Sequence, residues 1–160
     1  MENKMDKKME NKMETSYKKL AIAIAINTII MYLIGYVMID RLEHFQININ
    51  RLYMALLMAA PMVIIMLLVM RSMFMNKRLN TILFAGAGLA MVLLFFLIRS
   101  QTPVGDVQFL RSMIPHHSSA IVMCQEAAIS DPEIITLCNE IIQAQEEEIT
   151  QMEAILKRYR

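Results

Sequence analysis

The 160-residue chain has no tryptophan, and its three longest apolar stretches, Leu20 to Ile39, Leu52 to Met70 and Ile82 to Ile98, contain no acidic or basic side chain. A proton or ion pathway of the usual kind needs ionisable groups at membrane depth, so that function loses its support. No basic stripe with interleaved aromatics is present, which argues against nucleic acid as a partner. None of the three histidines has a glutamate three residues before it, so the Glu-x-x-His element of carboxylate-bridged di-iron bundles is missing. No ordered Cys, His and Asp arrangement marks a nucleophile, and the chain reads as not an enzyme.

What is present is apolar surface. Hydrophobic residues make up 56% of the chain, and the mean hydropathy is +0.41, too high for an ordinary soluble domain of this size. About 20 apolar residues cross a hydrocarbon layer of about 30 Å, so the three stretches predict three spans within a membrane domain over residues 20–98. The first lacks a small-residue cleavage pattern and is followed by two more, so it reads as a retained span rather than a signal peptide. The charged leader, residues 1–19, carries Lys4, Lys7, Lys8, Lys12, Lys18 and Lys19. The second connection carries Arg71, Lys77 and Arg78, whereas the first has Arg41 and Arg51 offset by Asp40 and Glu43. This asymmetry places the N-terminus in the cytoplasm and everything after Arg99 outside it. The leader's repeat at Met1, Met5, Met9 and Met13 reads as a solvated, partly helical tail, and the Met54, Met58, Met62, Met66 and Met70 ladder as packing.

The remainder, residues 102–160, predicts an antiparallel helical hairpin. Ser130 and Glu133 have the spacing of a capping box, with Pro132 early in the helix. From there Ile135, Cys138, Ile142, Gln145, Ile149, Met152 and Leu156 repeat at alternating spacings of three and four, leaving Ile134, Ile141 and Ile155 beside the seam. Leu110, Met113 or Ile114, His117, Ala120 or Ile121 and Cys124 keep the same rhythm on the preceding helix. A turn of about four residues sets Cys124 opposite Cys138 and His117 level with Ala144 and Gln145. The fold class is therefore all-α: three transmembrane helices followed by a helical hairpin. Such a hairpin is too small for a self-sufficient core, so a homodimeric four-helix bundle is expected.

The pattern Phe109-Leu110-x-x-Met113-Ile114-Pro115-His116-His117-x-x-Ala120-x-x-Met123, followed after Asp131-Pro132-Glu133 by Ile141-Ile142-x-x-Gln145-x-x-Glu148-Ile149-x-x-Met152, closely resembles the DUF305 family. The resemblance covers roughly Thr102 to Tyr159. It implies a ferritin-like helical domain of exported bacterial proteins, some linked to copper, and hence a multi-pass protein of the bacterial plasma membrane with its C-terminal domain outside. Met113, His116, His117, Met123 and Met152 match the positions carried over as candidate ligands, and thioether with neutral imidazole suits Cu(I).

Against that stands a plainer chemistry. His117 also reads as a hydrogen-bonded core histidine with Gln145 as partner, and His44 as incidental. Cys124 and Cys138 lie outside the family pattern, and three roles stay open for them: a disulfide, small apolar core residues, or soft-metal ligands. The expected function is a membrane-anchored, extracytoplasmic module that binds or sequesters copper. The alternative is a structural module of the envelope that binds another protein and holds no metal.

Overall fold

The computed structural model describes residues 2–159, apart from the side chains of residues 2–10 and 12. Among the described residues the protein is all-α, with helices α1 (Glu2–Ile34), α2 (Ile49–Val69), α3 (Lys77–Ser100), α4 (Asp106–Glu126) and α5 (Pro132–Lys157) and a single 3-10 turn at Leu42–His44. Three segments are long and apolar enough to cross a membrane: Met13–Ile34, Ile49–Val69 and Lys77–Ser100. Their surfaces expose Ile22, Ile26, Ile29, Leu89 and Phe96, a distribution that lipid tolerates and water does not.

The first span is shorter than the apolar run suggests. Its helix stops at Ile34, and Tyr36 and Val37 close back on Leu33 and Ile34 through turn hydrogen bonds. Gly35 is a poor helix former, and Tyr36 is drawn away to pack on Phe45, ring centroids 4.3 Å apart, with the Arg51 guanidinium 4.0 Å over its face. Residues 35–39 are thus connection, although they are as apolar as the span before them. At the other end the leader is helical and continuous with the span. The side chains of Met1, Met5 and Met9 in its repeat lie outside the described residues.

The fold divides into two units. Met1–Tyr32 with Tyr53–Ser100 form one, and Leu33–Leu52 with Gln101–Arg160 form the other. In the first, Leu20, Leu67 and Phe74 are buried with Tyr17, Ile24, Val63 and Leu83 around them. Tyr17 fastens that end. Its hydroxyl donates to Asn80 Oδ1 at 2.7 Å and its ring lies 5.2 Å from Phe74. Asn76 caps α3 by accepting from the Leu79 N–H at 3.0 Å.

The second unit is built on the hairpin of α4 and α5. Leu110, Ile114, Ile121, Ile149, Met152 and Leu156 form its core, with Val107, Met113, Ile142 and Ile155 packed around them. The seam read from the sequence is correct over its second half and opens toward the turn, where Ile135 is exposed. The cap of α5 is Asp131 rather than Ser130: its carboxylate accepts from Glu133 N at 2.8 Å and Ile134 N at 3.3 Å. The residue before a proline is held in extended backbone, as a cap must be, and Asp131 has φ −74° and ψ 124° ahead of Pro132.

The hairpin of residues 102–160 shares its unit with the first connection, which the sequence pattern does not announce. Pro115 has no N–H, which deprives the Arg111 carbonyl of its helical donor. Asn48 supplies one, its Nδ2 donating to Arg111 O at 3.3 Å and to Gln46 O at 2.9 Å. The same side chain caps α2 by accepting from Arg51 N at 2.9 Å, and Gln108 of α4 accepts from Ile49 N at 3.0 Å. Pro115, inside α4, is therefore also a docking point.

Substitutions separate these roles. In thermal unfolding of the detergent-solubilised chain, Asp131→Ala should cost about 1 kcal/mol and Ser130→Ala close to nothing, the ordinary value of a helix cap against that of an exposed surface site. Asn48→Ala removes a cap and strands a carbonyl, and should cost about 2 kcal/mol or more.

Candidate functional site

The hairpin has three distinct surfaces because its helices are antiparallel and each residue turns about 100° from the last. One stripe of each helix meets the other in the core. Residues one position later on each helix project to one side of the hairpin, and residues one position earlier project to the opposite side.

The first side carries Pro115 and Ser118, both fully buried. Ser118 Oγ accepts the Asp40 N–H at 2.7 Å and lies 2.9 Å from His44 Nδ1. His44 is 7% exposed, so it is a structural anchor of the connection and not incidental. Its partner lies 74 residues away in sequence, and no local pattern announces such a pairing. A small cavity beside it is lined by Asp40, Glu43, Glu146 and Glu153.

His117 is buried in the seam, with Nδ1 3.0 Å from Met113 O and Nε2 2.7 Å from Glu148 Oε2. Its side-chain partner is Glu148, one turn beyond the expected Gln145. Side chains lean toward the N-terminus of their own helix. The His117 side chain therefore leans away from the hairpin turn while Glu148 leans toward it, and the two meet between their own levels. The same offset joins Tyr159 Oη to Asp106 Oδ2 at 3.2 Å.

At the turn, Cys124 and Cys138 form a disulfide with Cα atoms 5.3 Å apart. Helices at ordinary packing distance reach that separation only where both residues point inward, and here Ile134, Ile135 and Leu137 beside the bridge are largely exposed. The covalent link stands where apolar packing between α4 and α5 has run out.

The opposite side is open. On α4 it presents Phe109, Met113, His116, Ala120 and Met123, and on α5 Ile134, Leu137, Ile141, Ala144 and Glu148. Phe109, Met123 and Leu137 are 51%, 60% and 53% exposed. Of the five candidate ligands, Met113, His116 and Met123 lie on this side, Met113 half-buried at its edge. The other two are committed elsewhere: His117 has both nitrogens engaged, and Met152 is a core residue. The bridged cysteines offer no thiolate. Among the described residues no three His, Cys, Asp or Glu side chains come close enough together to hold an ion. Thioether and imidazole from Met113 and His116, one turn apart, fit a soft monovalent metal and do not fit a hard divalent one.

Residues 94–156 match the family model described as Domain of unknown function (DUF305). Over 113 residues, 69% of this chain and 72% of the other, the sequence is 33% identical to Uncharacterized protein L153 of Acanthamoeba polyphaga mimivirus. The chain belongs to the DUF305 family. The family match begins inside α3 and takes in the α4–α5 hairpin as far as Leu156, with His116, His117 and both cysteines. It leaves out the first connection, which carries His44 and Asn48. No solved structure matches the chain.

Thiol trapping followed by mass spectrometry of protein taken from membranes should recover the Cys124 and Cys138 peptides joined. Replacing both with serine should cost up to about 3 kcal/mol, the value for closing a loop of about 15 residues. Ser118→Ala strands a buried ring nitrogen and a backbone N–H, and should cost about 1 to 3 kcal/mol in urea unfolding.

Proposed function

We propose that this protein is a membrane-anchored module that binds a soft metal ion, copper(I), on a helical hairpin at the outer face of a bacterial plasma membrane. The observation that carries the reading is that Met113, His116 and Met123 share the side of the hairpin away from the connection, with Met113 at its edge against the core. Met113 and His116 would hold the ion, with Met123 two turns from His116 as a further soft donor. The bound ion supplies only its affinity for sulfur and imidazole. The role is holding or handing on the metal, and no reaction is assigned.

Three features support the sidedness. The first connection and the hairpin, separated in sequence by two spans, belong to one unit, as an even number of crossings between them requires. Tyr17, near the start of the first span, bonds to Asn80 near the start of the third, as two crossings between them again require. A disulfide fits an oxidising compartment outside the cytoplasm.

A second reading, an envelope interaction module without metal, is favoured by His117, whose commitment to Met113 O and Glu148 gives the His-His pair a packing role.

Two measurements test the proposal. A reporter active only outside the cytoplasm should work when fused after Arg160 and be silent after Arg78, and the reverse result would overturn the topology. Solubilised protein should bind Ag(I), a Cu(I) mimic, more tightly than Zn(II), and His116→Ala with Met113→Leu should weaken Ag(I) binding at least about tenfold, or about 1.4 kcal/mol. Leu for Met conserves apolar volume, so the fold should persist. Unchanged affinity in that variant, or no soft-metal binding by the parent, would leave the metal-free reading standing.

A further inference from the structure

No residue between Ile121 on α4 and Ile149 on α5 is buried, and Ile142 is the first residue of α5 to pack against the hairpin core. Residues 122–141, which make up the end of α4, the turn and the first turns of α5, therefore stand outside that core. Ile134, Ile135 and Leu137 are exposed there. The polar contacts of the segment are local: Ile129 N–H donates to Ala127 O at 2.8 Å, and the Asp131 carboxylate caps α5. Among the described residues no hydrogen bond or ion pair joins α4 to α5 within it, and the nearest such tie is His117 with Glu148. What holds the two arms together is the bridge between Cys124 and Cys138.

From this we infer that the bridge is a thiol–disulfide exchange site for a dithiol reductant, and that its reduction frees residues 122–141 while the core of the hairpin stays folded.

Access comes first. Both cysteines are half-buried rather than enclosed, and their chain neighbours Met123, Gln125, Leu137 and Asn139 are all exposed. A thiolate can therefore reach a sulfur of the bridge, as exchange requires. One thiolate of the reductant bonds to one cysteine sulfur as the Sγ–Sγ bond breaks, and the other cysteine leaves as a thiolate. The second thiolate of the reductant then attacks the reductant's own sulfur in the mixed disulfide and releases the first cysteine. The reductant departs as a disulfide, having passed two electrons to the cysteines, and the two protons its thiols gave up end on them.

Confinement of the opening follows from where the packing lies. A disulfide stabilises by limiting the conformations open to the loop it closes, and the loop closed here is this segment. Local unfolding is least costly where few apolar contacts have to break, and short stretches of helix without packing are marginal in water. With the bridge reduced, the last turn of α4 and the first turns of α5 have little else to keep them in place. Beyond the segment Leu110, Ile114, Ile121, Ile149, Met152 and Leu156 remain packed on one another, and Ser118 remains bonded to Asp40 and His44.

The test uses the full chain in detergent and reads amide hydrogen exchange by mass spectrometry with and without dithiothreitol. Reduction should speed exchange at least about tenfold in peptides from residues 122–141, and by less than about twofold in those from residues 107–121 and 149–157. Reoxidation should restore the slow rates. Cys124→Ser with Cys138→Ser should exchange fast in the same segment and be indifferent to dithiothreitol, and a response in that variant would show that the reductant acts elsewhere and sink the inference. If the variant does not fold, the unsubstituted chain decides alone. A bridge that resists dithiothreitol in the folded chain yet yields to it in urea would overturn the exchange site. Exchange that rises equally along the whole hairpin, or that stays unchanged on reduction, would overturn the confined opening.

Discussion

Pro115 cannot give a hydrogen to the carbonyl of Arg111, and much of the unit that holds the hairpin is organised by how that loss is made good. A buried, unpaired carbonyl costs a few kcal/mol, and the chain meets it with Asn48, a residue 63 positions earlier. Because Asn48 also caps α2, a single amide joins the start of one membrane helix to the middle of α4. Ser118, one turn on, repeats the device with Asp40 and His44. These contacts are polar, directional and buried. They fix where the connection lies on α4 more sharply than apolar contact alone can, since apolar contact is not directional.

The two sides of the hairpin consequently differ in kind. One is closed by the chain's own backbone and carries its polar anchors. The other keeps an apolar stripe with three soft donors and only Glu148 as a charged residue near its centre. A seam of three-and-four spacing gives each helix one buried line, but the residues adjoining that line face opposite ways across the hairpin, so their fates are decided by what else the chain brings to each side. Here it brings the connection to one of the two sides.

How much of this could be read from the sequence depended on the range of the interaction concerned. The three long apolar helices, the helix beginning at Pro132 and the seam through Ile149, Met152 and Leu156 are periodic or local signals, and they are present where they were read except for the end of the first. Errors of one step arose where geometry refines a pattern. Asp131 displaces Ser130 as cap because it adjoins the proline, and Glu148 displaces Gln145 because side chains lean along their helices. The first span was overrun because hydropathy cannot tell a lipid-facing residue from Tyr36, which is apolar enough for a membrane but buried in a loop. His44 was missed for a different reason. A single histidine in a polar loop looks the same whether its ring meets water or a serine 74 residues away. Of the candidate ligands, Met113, His116 and Met123 stay accessible because they fall one step off the seam, whereas His117 and Met152 fall on it.

The separation between the connection and its partners also governs the order of assembly. Hairpin contacts close short loops, while Asp40, His44 and Asn48 reach across 63 to 78 residues to α4. During synthesis the connection is made first, and the contacts of Asp40, His44 and Asn48 with α4 must wait until two further helices and most of α4 have followed. A chain arrested before Ser118 therefore presents a loop with unmet hydrogen-bonding groups and two aromatic rings, a surface by which an incomplete molecule differs from a finished one.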